Sequence, residues 1–155
     1  MSAEIPSIQT FESLGLCDPF LQTVSALGYE SPSPIQAEAI PPLLEGRDIL
    51  GQAQTGSGKT AAFALPLLAR LNLKQRSPQI LVLAPTRELA EQINTEIRTF
   101  AGAVRSAVVY GGVGYGNQFR ALNQGVDILV ACPGRLEDLI QQKAVNLSDV
   151  NFVVL

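Results

Sequence analysis

Five short apolar runs, set apart by helical or turn-rich sequence, constrain this chain more than any other feature. They are Asp48 to Leu50, Ile80 to Ala84, Ala107 to Tyr110, Ile128 to Ala131 and Phe152 to Leu155. Continuous rather than alternating apolar residues suit strands covered on both faces, and such strands joined through helices form a parallel sheet. The segments between them carry helix signals. DPFLQTVSALG offers Asp18 as N-cap, Pro19 at the first helical position and Gly28 as a stop. SPIQAEAI starts a second helix at Ser33 and Pro34 that is expected to end at Pro41, which has no N–H to donate. TRELAEQINTEIRTFAG places Leu89, Ile93, Ile97 and Phe100 on one face, and NQFRALNQG and EDLIQQK read as two shorter helices. The expected fold is α/β, a mainly parallel sheet with helices on both faces. The 155 residues suffice for one domain with a real core.

One connection is chemically distinctive. Residues 53–60 read AQTGSGKT, between the end of an expected strand and the helical pattern AAFALPLLARL. Strand, glycine loop and helix are the context of a phosphate-binding loop, G-x-x-x-x-G-K-[ST]. Gly56 and Gly58 let backbone N–H groups turn inward with Ala53, Gln54, Thr55 and Ser57 around them. Lys59 would reach the outer phosphates and Thr60 would offer a hydroxyl to Mg2+. Ala53 departs from the pattern, which matters only where that position needs positive φ. Pro66 falls inside the following helix, where a kink is expected.

Composition narrows the setting. Hydrophobic residues make up 46% and charged residues 16%, too apolar for a disordered chain. No apolar run has the length of a membrane span, and MSAEIPSIQT lacks the parts of a signal peptide, so a cytoplasmic location is expected. Cys17 and Cys132 stand far apart in a chain without histidine, which points to reduced thiols and away from zinc. A net charge of −3 argues against coating nucleic acid by bulk charge, so any such contact is local.

FESLGL, GYESPSPIQ, AQTGSGKT, APTRELA, the Gly111-Gly112 pair and CPGR follow in that order. Together they resemble the first RecA-like domain of a DEAD-box ATP-dependent RNA helicase, over nearly the whole chain. Between Gly28 and Leu68 the chain looks most like bacterial cold-shock-type members. The resemblance implies that residues 1–46 read adenine, through stacking by Phe11, the Gly28-Tyr29 pair and the Gln36 amide, and that residues 47–155 form the P-loop core. Ser33 to Gln36 is also a capping box, in which glutamine bonds back to the backbone of Ser33, so two roles stand open for Gln36. In this family Ala53 is the usual residue, and ATP and Mg2+ are the cofactors, with Lys59 and Thr60 as the catalytic and metal-facing pair.

RNA contacts implied by the resemblance come from loops at strand ends: Pro85, Thr86 and Arg87; Gly111 and Gly112; Pro133, Gly134 and Arg135. Helix N-termini and arginines grip the sugar-phosphate backbone without reading sequence. The family has threonine where this chain has Cys132, a poorer cap. It also continues the strand at NFVVL into Asp-Glu-Ala-Asp, the metal-holding carboxylates, and into a second RecA-like domain, which here would follow Leu155. Residues 1–155 are therefore expected to bind nucleotide and RNA without hydrolysing ATP. In the family a further strand separates the one before the P-loop from the one before the carboxylates, so Asp48 to Leu50 and Val153 to Val154 are expected to flank a gap. That gap would be filled by strand exchange with another molecule, by rearranged pairing or by later residues. The rival readings are another P-loop NTPase, such as a kinase, and a non-catalytic RNA-binding or regulatory module.

Overall fold

The computed structural model describes residues 8–155. They form two compact units, one running to Ala69 and the other from Arg70 to Leu155.

The first unit is helical. After a 3-10 turn at Glu12–Leu14 come α1 (Asp18–Ala26), α2 (Pro34–Leu44) and α3 (Lys59–Leu68). The N-cap of α1 is Cys17 rather than the expected Asp18, which is itself the first helical residue. Its carboxylate thus faces the helix dipole instead of capping an N–H. Gly28, at φ +82°, closes the helix: its N–H donates to the Ser25 carbonyl and that of Tyr29 to the Val24 carbonyl. α2 does not stop at Pro41 but continues through Pro42 to Leu44. Proline φ suits a helix, and what is lost is two N–H donors. Burial of Ala39 and Ile40 and the packing of α2 on α3 offset that loss. α3 likewise runs on beyond Pro66 to Leu68, with Leu65 and Pro66 fully buried.

The second unit holds the sheet. Its strands β1 (Ile80–Leu83), β2 (Ser106–Val109), β3 (Ile128–Ala131) and β4 (Phe152–Val154) are parallel in the order β2-β3-β1-β4. Ile80 lies opposite Ile128 and Phe152, and Ser106 opposite Ile128, so β2, β3 and β1 end level at Val109, Ala131 and Leu83. All four residues of β3 are buried, as continuous apolar sequence requires of a central strand. The helices are α4 (Arg87–Ala101), α5 (Gly116–Gln124) and α6 (Pro133–Gln141). α4 keeps the expected period but not the expected phase. Its buried face is Ala90, Asn94, Ile97, Phe100 and Ala101, while Leu89 is 38% exposed. The small Ala90, wholly buried, allows close approach of the helix, which counting large apolar residues does not register.

The edge opposite these strand ends is fastened by charge. Arg105 reaches both oxygens of the buried Asp127, at 3.1 Å through Nε and 2.8 Å through Nη2, and its backbone N–H donates to the same carboxylate at 2.9 Å. Bidentate pairing of this kind raises the guanidinium pKa, through the hydrogen bond first and against desolvation.

Asp48 to Leu50 is not a strand. Ile49 is 41% exposed and Leu50 fully so, and the four strands of the sheet do not include them. A strand exists by pairing, and no described strand offers these residues a ladder, so the backbone stays with solvent. β4 pairs with β1 and forms one border of the sheet, with Val153 57% exposed. No described helix is long and apolar enough to cross a membrane.

Candidate functional site

The loop before α3 is built on two left-handed glycines, Gly56 at φ +82° and Gly58 at φ +80°. Ala53 has no positive φ, so its position does not need glycine and the departure from the general pattern costs nothing. Gly58 is the N-cap of α3 and supplies no side chain, so no capping oxygen meets the first N–H groups of the helix. Those N–H groups, with Lys59 exposed and Thr60 half-exposed at the first two helical positions, are donors suited to phosphate oxygens.

The loop is tied to α2 from behind. Ser33 Oγ donates to the Ser57 carbonyl at 2.7 Å, and Gln36 Nε2 donates to the Gly58 carbonyl at 3.2 Å. The capping box is formed as well: Ser33 N–H donates to Gln36 Oε1 at 3.0 Å and Gln36 N–H to Ser33 Oγ at 3.4 Å. Gln36 is 2% exposed, so its amide spans cap and loop together. A Cβ on Gly58 would run into that amide, a second reason for glycine there. Within the loop, Ser57 donates both its N–H and its hydroxyl to the Gln54 carbonyl, at 3.2 and 2.6 Å. Phe11 is 5% exposed and meets Tyr29 edge-on, ring centres 6.1 Å apart, so Tyr29 is the half-exposed ring of the pair.

In the second unit, the three strand-end segments emerge side by side because β2, β3 and β1 are adjacent, parallel and level. Ligands of open parallel sheets bind at this carboxyl edge. Pro85, Thr86 and Arg87 are exposed, and Thr86 caps α4, its Oγ1 accepting from Leu89 N–H at 3.2 Å. Gly111 and Gly112 are exposed. Gly112 is required by its φ of +81° rather than by close approach, since nothing lies within 4 Å of a Cβ placed there. Pro133 and Gly134 are exposed at the start of α6, whose N-cap Cys132 gives no side-chain hydrogen bond. Burial, and next the Glu88 charge, push the Cys132 thiol pKa up, so it stays a weak neutral donor.

Arg135, an RNA contact implied by the resemblance, is largely buried. It is 9% exposed and donates to Gln118 Oε1 at 3.1 Å and to the Val113 carbonyl at 2.9 Å, with its guanidinium 4.1 Å above the Tyr115 ring. Gln118, Tyr110 and Tyr115 were not legible as site residues. The available signal for Gln118 was a polar side chain at an inward position of α5, and the structure buries it at 7%.

Residues 33–155 match the family model described as DEAD/DEAH box helicase. Over 149 residues the chain is 54% identical to the "ATP-dependent RNA helicase DeaD" of Escherichia coli strain K12, covering 94% of this chain and 24% of that protein. It is 49% identical over 148 residues to the "DEAD-box ATP-dependent RNA helicase CshA" of Bacillus cereus, covering 94% of this chain and 28% of that one. The chain thus spans about a quarter of the length of these curated relatives. A crystal structure of a DEAD box protein from the hyperthermophile Methanococcus jannaschii superposes with a TM-score of 0.86 at 38% identity, over 93% of this chain and 40% of that one. The chain carries the N-terminal RecA-like domain sequence of a DEAD-box helicase and belongs to the DEAD/DEAH box helicase family.

Proposed function

We propose that this chain is the ATP-binding and RNA-backbone-binding portion of an ATP-dependent RNA helicase acting in the cytoplasm on short duplexes. The observation that carries the nucleotide half is the glycine-capped start of α3, with its uncapped N–H groups, braced through Gln36 and Ser33. Those donors fit a polyphosphate. Residues 53–60 would wrap the phosphates, Lys59 would neutralise their charge and Thr60 would face Mg2+, whose part when bound is to offset charge on the phosphate oxygens. The Phe11-Tyr29 pair and the remaining hydrogen-bonding capacity of Gln36 would receive adenine. The strand-end segments would hold single-stranded RNA by its phosphates through Thr86, Arg87, Gly111, Gly112 and Gly134. Residues 1–155 alone would hold nucleotide without turning it over. A second RecA-like domain would complete catalysis.

Calorimetry with ATP, ADP and GTP, alongside Lys59→Ala, tests the nucleotide half. ATP and ADP should bind, GTP more weakly, and the variant weakly or not at all. GTP binding equal to ATP, or an unaffected variant, would point to another P-loop NTPase. Fluorescence anisotropy with a labelled oligouridylate tests the RNA half, and no binding by the wild-type chain refutes it.

A further inference from the structure

Two carbonyls flank the exposed glycines of the loop after β2, and one pair of buried side chains holds both. Gln118 Nε2 donates to the Tyr110 carbonyl at 3.0 Å, just before Gly111. Gln118 Oε1 accepts from Arg135 Nη1 at 3.1 Å, and Arg135 Nη2 donates to the Val113 carbonyl at 2.9 Å, just after Gly112. Gln118 is 7% exposed and Arg135 9%. The pair is itself fenced. Tyr115 lies under the guanidinium, stacks on Phe119 with ring centres 5.4 Å apart, and bonds through its hydroxyl to Asp138 of α6. On the other side, the Tyr110 hydroxyl donates to Glu91 of α4 at 2.6 Å, and the Arg87 guanidinium lies 4.8 Å over its ring. Residues of all three strand-end segments therefore meet in one connected network centred on Gln118.

The chemistry selects glutamine. One side chain must accept from a guanidinium and donate to a carbonyl at once; glutamate lacks the donor, lysine the acceptor and methionine both. A buried network of this kind is stiff when every member is satisfied, and neither Gln118 nor Arg135 has an unpartnered buried atom. Arg135 has no carboxylate in ion-pair range among the described residues, so its bonds are the ones that hold the loop.

We propose that Gln118 and Arg135 are a positioning pair that fixes the Gly111-Gly112 backbone in a phosphate-receiving conformation, so that Arg135 supports RNA binding through the loop and not by touching RNA. This rests on the RNA-binding reading above. It also changes the expected behaviour of Pro-Gly-Arg: the arginine acts beneath the surface, and a neutral residue outside every motif matters as much as it does.

Three variants, Gln118→Met, Arg135→Lys and the double variant, separate the possibilities, with circular dichroism confirming that each is folded. Amide hydrogen exchange on the free chain should show faster exchange at residues 111–115 in both single variants, with β1 and β3 protected as in wild type. Anisotropy with labelled oligouridylate should show each single variant weakened by about 10-fold and the double variant by no more than that, because both break one unit. The salt dependence of Gln118→Met should keep the wild-type slope, since no cation is removed; loss of a direct phosphate contact would lower that slope by about one. Arg135→Lys retaining wild-type affinity, or unchanged exchange at 111–115 in Gln118→Met, overturns the proposal. If the wild-type chain binds no RNA, the RNA reading falls, while the exchange measurement still decides whether the pair orders the loop. Should Gln118→Met fail to fold, Gln118→Glu keeps the bond to Arg135 and drops the one to Tyr110; exchange at 111–112 should then rise, and no rise overturns the proposal.

Discussion

Replacing Gln36 with methionine separates its structural role from any role in reading a base. Methionine is close in volume, so no cavity is expected, and the loss is confined to hydrogen bonds. Two are lost: the one accepted from Ser33 N–H at 3.0 Å and the one donated to the Gly58 carbonyl at 3.2 Å. They are not equivalent. The Gly58 carbonyl still accepts from Ala62 N–H at 3.1 Å, whereas Ser33 N–H has no other acceptor among the described residues and lies in a half-buried segment. One orphaned donor and one lost secondary bond together cost about 1–2 kcal/mol. For a chain of this size that corresponds to a fall in thermal midpoint of about 2–8 °C. Because the lost bond also releases the residue that caps α3, nucleotide affinity should fall by about 10-fold. Ser33→Ala, which cuts the other tether to the loop, should act in the same direction. Differential scanning fluorimetry and calorimetry check the two effects. A variant with unchanged midpoint but lost ATP binding would show that Gln36 serves the base alone and that the brace is energetically idle.

Cys132→Thr should raise stability by about 0.5–1 kcal/mol by giving α6 an oxygen cap, read as a higher thermal midpoint; no gain would mean the backbone there cannot present the hydroxyl. Arg105→Ala should cost about 3 kcal/mol in a denaturant melt, since it strands the fully buried Asp127 carboxylate, although the exposed part of the arginine softens the loss. A loss below half of that would show that water reaches Asp127. Alkaline pH should destabilise the fold: the hydrogen bond to Glu91, then burial, raises the Tyr110 pKa, and the bond to Asp138, then burial, raises that of Tyr115. A raised folded-state pKa means this stability is fully present below the unfolded value of about 10 and is lost as pH climbs through the folded values. Tyr110→Phe should therefore flatten the decline above about pH 10, and an unchanged profile would remove the Glu91 bond from the account.

The sequence alone determined the elements whose signals are local. Apolar runs marked β1 to β4 within a residue or so, Thr86 and Cys132 stood where the helices after β1 and β3 begin, and the glycine loop announced its own backbone. Local signals fail where partners decide. Asp48 to Leu50 has strand-like composition but no ladder to join, and Pro41 does not end α2 because packing on α3 outweighs the missing donors. Side-chain roles were the least legible. Gln36 fitted both a capping box and a base contact, and only tertiary structure adds the bond to Gly58 that makes it a brace for the loop. Arg135 was implied as an arginine that contacts RNA, and a sequence gives its charge but not its burial. Its neighbours Gln118 and Val113 are 17 and 22 residues away along the chain, and what brings them together is the parallel pairing of β2 with β3, a long-range arrangement that no local pattern encodes.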